Sequence, residues 1–176
     1  CGSSLRDRGI GEEVWPVSDT QLLIGNYRGL ELPIDHSTLE PRDDGIEPYA
    51  VFREGLGRDF YGEILRTLQR AGGYRLSRPG QPPSADRDLY LLLYDFRRDN
   101  VRAVAALDAL IEGIRTVRGD PALRVDVLAH SNGGLLARYY ARYGTAPLPE
   151  SGELRPDFAG ADKLGRLLQF ARNYEF

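Results

Sequence analysis

A chain of 176 residues, 41% hydrophobic and 28% charged, has the length and apolar content to bury one sizeable core. Its longest apolar run, residues 89–94, is strand-sized and far short of the ~20 residues that a membrane helix needs. The net charge of −3 gives no electrostatic case for nucleic acid as a partner.

Residues 1–48 are rich in Gly, Pro and Asp, with short apolar pieces at Val14-Trp15 and Leu22-Leu23-Ile24. They predict loops with one or two short strands. Tyr49-Ala50-Val51-Phe52 predicts a strand, bounded by Pro48 and by Gly55 and Gly57. Over residues 59–70, Phe60, Ile64, Leu65 and Leu68 share one helical face, and Gly72-Gly73 supplies the stop. A proline-rich loop over 78–84 leads to residues 88–96, whose nearly continuous apolar sequence predicts a strand buried on both faces. The next helix is capped by Asp99 or Asn100 and ends at Gly119-Asp120-Pro121. Val101, Val104, Leu107, Ile111 and Ile114 recur along it at spacings of three or four. Residues 124–129 alternate as a β-branched strand, and 135–143 predict a helix stopped by Gly144. A Pro/Gly/acidic loop over 145–163 and an ambiguous tail over 164–176 complete the chain. Strand, helix, strand, turn and helix in this order are the grammar of a parallel sheet with right-handed crossovers. The expected organisation is one partial domain: a loop-rich part over 1–48, an αβ core over 49–144, and the loop and tail over 145–176.

Ala129-His130-Ser131-Asn132-Gly133-Gly134 falls between a predicted strand and a predicted helix, the setting of the α/β-hydrolase nucleophile elbow. Such a turn must be tight to push the serine hydroxyl out above the sheet, so small residues are expected two before and two after it. Gly133 meets that need, and Ala129 replaces the usual first glycine at the cost of one methyl. The turn aims the backbone N–H of Asn132 as one half of an oxyanion hole, and the helix points its positive end at the same place. The competing reading is an ordinary strand-to-helix turn with a capping serine. The strand before and the helix after favour the elbow.

The segment from Val125 to Tyr140, with Ala-His-Ser-Asn-Gly-Gly at its centre, resembles the elbow of the lecithin:cholesterol acyltransferase family. Members typically read Ala-His-Ser-Met-Gly-Gly there, so Asn132 is a departure that keeps the backbone donor. Tyr94-Asp95-Phe96-Arg97 is similar to the family's Tyr-Asp-Trp-Arg. Gly2-Ser3-Ser4-Leu5 with Glu13-Val14-Trp15-Pro16 is similar to its Pro-Gly-x-x-Gly-Ser-x-Leu loop and trailing Val-Trp. The matches lie in family order over residues 1 to about 144. The resemblance implies an α/β-hydrolase-like parallel sheet with flanking helices. It also implies acyl transfer from a lipid ester to an alcohol or water through an acyl-serine, with no metal or cofactor. Contact with a membrane or lipoprotein surface would follow for the full-length protein.

Ser131 needs a base, and the base needs an orienting carboxylate, in the chain order Ser, acid, His. No histidine follows Ser131. His130 reads as packing and His36 as a solvated loop residue. Asp157 and Asp162 read as loop residues, because the chain before them is too short for another completed strand-helix unit. Asp95 and Arg97 read either as a salt-bridged pair pinning a strand end or, for Arg97, as a substrate-side residue. Tyr139, Tyr140 and Tyr143 read as helix-packing material. Cys1, the one cysteine, starts a chain without methionine. A lipidated, processed N-terminus and a cut through a longer gene both fit. The missing Pro-Gly of the first loop favours the cut, so the expected fold is incomplete, lacking its N-terminal strand and the C-terminal triad region. The expected function is a lipid acyl-ester hydrolase or O-acyltransferase, inactive as the 176 residues stand. The alternatives are a general esterase on the same fold and a non-catalytic binding module.

Overall fold

Ser3, Ser4 and Leu5 are buried because they lie in the middle strand of a small antiparallel sheet. The computed structural model describes residues 2–16, 28–55 and 58–170. Leu22-Leu23-Ile24 therefore lies outside the described residues. Two compact units emerge, Cys1–Gln81 with Arg87–Arg98, and Pro82–Asp86 with Asp99–Phe176.

In the first unit β1 (Ser3–Asp7) pairs antiparallel with β2 (Glu13–Trp15) on one side and β3 (Ile46–Val51) on the other. The register slips between Ser4 and Leu5, where Pro48 stands opposite Leu5. A proline lacks the ladder donor and is tolerated at such a bulge on an edge strand. Trp15, Phe52, Phe60 and Phe96 form an aromatic cluster, with Trp15 edge-on to Phe96 at 5.9 Å and Phe52 4.8 Å from Phe60. Two short antiparallel strands, β4 (Glu54–Gly55) and β5 (Arg58–Asp59), precede α1 (Gly62–Arg70). The helix starts later than the apolar spacing predicts because Asp59 belongs to β5. From there its carboxylate accepts the Glu63 N–H at 3.0 Å and pairs with Arg66.

The strand expected over 88–96 does not form. Among the described residues its only bridge is Leu89 to Leu76. The segment is tied to β1 through a side chain instead: the Ser3 hydroxyl accepts the Tyr94 N–H at 3.1 Å.

The second unit begins with α2 (Asn100–Arg118). The Asp99 carboxylate accepts the Val101 N–H, and Gly119, in the left-handed region at φ +63°, closes the other end. Val104, Leu107, Ile111 and Ile114 are buried, as their spacing predicts. β6 (Val125–His130) follows, then α3 (Asn132–Tyr143), a 3-10 turn at Ala161–Lys163, and β7 (Leu164–Phe170). α3 starts three residues before the predicted 135 because the turn at Ser131 feeds directly into it.

β7 pairs parallel with β6, setting Leu128 opposite Leu168 and His130 opposite Phe170. The ambiguous tail is thus a strand as far as Phe170, and Asp157 and Asp162 both lie ahead of it, in the loop and 3-10 turn, as their reading as loop residues has it. β7 lacks an alternating apolar pattern: Leu164 is buried, Leu168 is 51% exposed, and no apolar face stands out. The expectation of one parallel sheet is corrected. The fold is mixed α/β, and parallel pairing among the described residues is confined to β6–β7 and the Leu76–Leu89 bridge.

Lys163 fastens this unit. Its ammonium lies 2.6 Å from Asp108 and 2.8 Å from Glu112, both on α2, while the buried Tyr140 hydroxyl donates to Asp108 at 2.6 Å. Tyr140 is thus core material, as expected of the tyrosine run. Gly160 packs directly on α3, where a Cβ would overlap the Tyr140 carbonyl oxygen and approach its carbon to 2.6 Å. No helix among the described residues is long and apolar enough to cross a membrane.

Candidate active site

The centre of the candidate site is the backbone of Ser131. Its φ is +52° and its ψ −122°, a region that glycine enters freely and other residues occupy at a cost of ~1–3 kcal/mol. The residue is exposed, and its side chain makes no capping hydrogen bond to α3. An ordinary N-cap serine has an extended backbone and lends its oxygen to the helix. Ser131 does neither.

The chain turns this sharply because both sides of the turn are held. The Ser131 N–H donates to the Phe170 carbonyl of β7 at 3.0 Å, and the Gly134 N–H donates to the Ser131 carbonyl at 2.8 Å. Gln169 of β7 donates from its side chain to the Gly134 carbonyl at 2.7 Å. On the other side, Asn132 and Asn100 exchange side-chain hydrogen bonds of 3.1 and 3.3 Å. Asn132 is the first residue of α3, so its backbone N–H lies at the helix start, where the helix presents its positive end. Leu136 and Ala137 are buried and seat the helix behind the turn.

The small-residue argument is only half supported. Ala129 is buried, but a Cβ on Gly133 would meet the Ala129 methyl at 3.9 Å, an ordinary contact. The turn does not require glycine at 133 to avoid a clash.

His130 packs on Phe170, ring centres 4.8 Å apart and tilted by 34°, which matches its expected packing role. His36 is exposed in a turn that Asp35 organises by accepting from the Ser37 N–H and hydroxyl. Asp157 accepts the Ala159 N–H at 3.0 Å and shapes its own loop. Asp162 lies exposed in the 3-10 turn before β7.

Arg97 belongs to the first unit, and its side chain is only 4% exposed. It donates to Asp95 from Nε and Nη2 at 2.9 and 2.7 Å, and to Asp44 from Nη1 at 2.7 Å. Arg98 approaches the same two carboxylates. Burial lowers the Arg97 pKa, but the bonds to Asp95 and Asp44 outweigh it and hold the guanidinium above its ordinary value. Burial likewise works against the Asp44 carboxylate, and the hydrogen bonds it accepts from Arg97 and from the Ile46 N–H override this and lower its pKa. This is the pinned pair that the sequence offered as one reading. A substrate-side role would require Arg97 to give up these acceptors.

Two features of the unit escaped sequence reasoning. Asn100 meets Asn132 across 32 residues, and Asp108 gathers Tyr140 and Lys163 across 32 and 55. Neither has a local signature. No protein-family model, curated protein or solved structure matches the chain.

Proposed function

We propose that Ser131 is the nucleophile of an acyl-transfer site of the α/β-hydrolase kind, in a lipid acyl-ester hydrolase or O-acyltransferase similar to the lecithin:cholesterol acyltransferase family. The observation that carries this reading is the strained, exposed, non-capping backbone of Ser131 between a strand and a helix. Strain of that kind persists where a function needs it. The Ser131 hydroxyl attacks the ester carbonyl carbon, and its proton passes to a base. The backbone N–H of Asn132 donates to the oxygen as it gains charge, and the alcohol leaves with the proton. An acceptor alcohol or water then attacks the acyl-serine in the reverse sequence of steps. The lipid class of the substrate rests on the resemblance carried by residues 94–97 and 125–140.

His130 is engaged with Phe170, and no histidine follows Ser131, so in this reading the base comes from outside the 176 residues. The missing base is also what favours a non-catalytic binding module as the second reading. A fluorophosphonate probe separates them. It should label Ser131 weakly or not at all in the 176-residue chain and strongly in the gene product extended at both ends. Ser131→Ala should abolish labelling and turnover of long-chain esters in vesicles. Turnover that survives Ser131→Ala removes Ser131 as the nucleophile. An extended protein that resists the probe altogether moves the reading to the binding module, and activity on short soluble esters alone moves it to a general esterase.

A further inference from the structure

We propose that Asn100 is a positioning residue for the Ser131 turn, acting through Asn132. Its importance for turnover rests on the reading of Ser131 as nucleophile, whereas its action on the turn does not. Asn100 and Asn132 are the first residues of α2 and α3, and their carboxamides are joined head to tail. Nδ2 of Asn132 donates to Oδ1 of Asn100 at 3.1 Å, and Nδ2 of Asn100 donates to Oδ1 of Asn132 at 3.3 Å. A carboxamide has one donating and one accepting end, so turning over either partner would set N–H against N–H and oxygen against oxygen. The pair therefore fixes the orientation of both side chains.

A non-glycine residue stays at φ +52° and ψ −122° only if its surroundings over-determine it. β7 holds one side of the turn through Phe170 and, at Gly134, through Gln169. On the opposite side, Asn100 of α2 exchanges side-chain hydrogen bonds with Asn132, the residue that follows Ser131. Asn100 is a firm anchor, because α2 is capped at both ends and buries Val104, Leu107 and Ile111. The turn is thus clamped between β7 and α2. Without the α2 side, Ser131 can relax toward negative φ, and the first N–H groups of α3 swing with it.

Amide hydrogen exchange of the 176-residue chain tests this directly. The Ser131 and Gly134 N–H groups are both bonded within the turn, so their exchange reports its opening. Asn100→Ala should speed exchange at these two amides by about tenfold or more while Ile111 in mid-α2 keeps its wild-type rate. Asn100→Asp still accepts from Asn132 but cannot donate, and should give an intermediate, partly rescued rate. The clamp also predicts coupling with Ser131→Gly, whose stabilising effect should shrink in the Asn100→Ala background because the strain has already been released. Unchanged exchange at Ser131 and Gly134, or an equal acceleration throughout the unit, overturns the proposal. In the extended gene product Asn100→Ala should lower kcat more than it raises KM. A Ser131→Ala protein that still turns over ester sinks the nucleophile reading and leaves the exchange result standing.

Discussion

Replacing Ser131 by glycine and by alanine separates backbone strain from every other property of the residue. At φ +52° and ψ −122° the serine Cβ is the source of the cost, which is ~1–3 kcal/mol in this region. Glycine removes it but gives the unfolded chain more freedom, which offsets ~0.4–1 kcal/mol. Losing the hydroxyl costs little, because it is exposed and makes no capping bond. Ser131→Gly should therefore stabilise the chain by about 1 kcal/mol, within a range of ~0–2.6 kcal/mol. That corresponds to a rise in Tm of about 2–4 °C per kcal/mol for a chain of this size. Ser131→Ala keeps the Cβ and the strain, and should lie within ~0.5 kcal/mol of wild type. Urea unfolding followed by far-UV circular dichroism, at low protein concentration, measures both differences. A capping serine predicts the opposite order: wild type most stable, glycine lower by a few tenths, and alanine lower by ~0.5–2 kcal/mol. That order would refute the elbow geometry itself, whatever the substrate.

Gly160→Ala drives a methyl into the Tyr140 carbonyl, a helix backbone atom that cannot swing aside. It should cost ~3 kcal/mol, the upper end of overpacking, and a loss under ~0.5 kcal/mol in urea unfolding would show that the α3 contact is looser than described. Arg97→Ala leaves the mostly buried Asp95 and Asp44 with Arg98 as their remaining cation, at 3.3 and 3.5 Å. It should cost about 3 kcal/mol, the low end for breaking a buried pair, and a Tm unchanged from wild type would contradict the pinned arrangement. Burial acts to raise the Asp108 pKa, but the Lys163 and Tyr140 hydrogen bonds outweigh it and the folded-state value is lowered. A depressed carboxylate contributes stability that is complete above its unfolded-state pKa of ~3.9 and is lost as the pH falls through the folded value. Asp108→Asn should therefore be less stable than wild type at neutral pH and show a shallower decline below about pH 4. An acid limb identical to wild type would assign that decline to other carboxylates.

The elements legible in the sequence are those whose causes are local. α2 announces itself through five apolar residues at helical spacing, a cap at Asp99 or Asn100 and a stop at Gly119; the helix forms, Asp99 caps it, Gly119 closes it, and four of the five are buried. β6 and the stop of α3 at Gly144 follow from alternation and a glycine, and the turn at Ser131 from its place between that strand and that helix. The pairing of Asp95 with Arg97 was legible too, as residues two apart at the end of an apolar run.

Pairing decided by distant parts of the chain was not legible. Residues 88–96 carry the composition of a buried strand, but composition does not supply a pairing partner, and among the described residues the segment makes one bridge, Leu89 to Leu76. Residues 164–170 carry a weak strand signal and become β7 because β6 offers them a parallel edge. In the same way, nothing near Asn100 in sequence marks it as the partner of Asn132, and nothing near Lys163 marks it as the tie to Asp108 and Glu112. Capping and periodicity act over one or two turns of chain and are written in the residues themselves. Edge occupancy and side-chain pairing across 32 or 55 residues exist only once the chain has folded, because they depend on which backbone groups the rest of the structure has left unpaired.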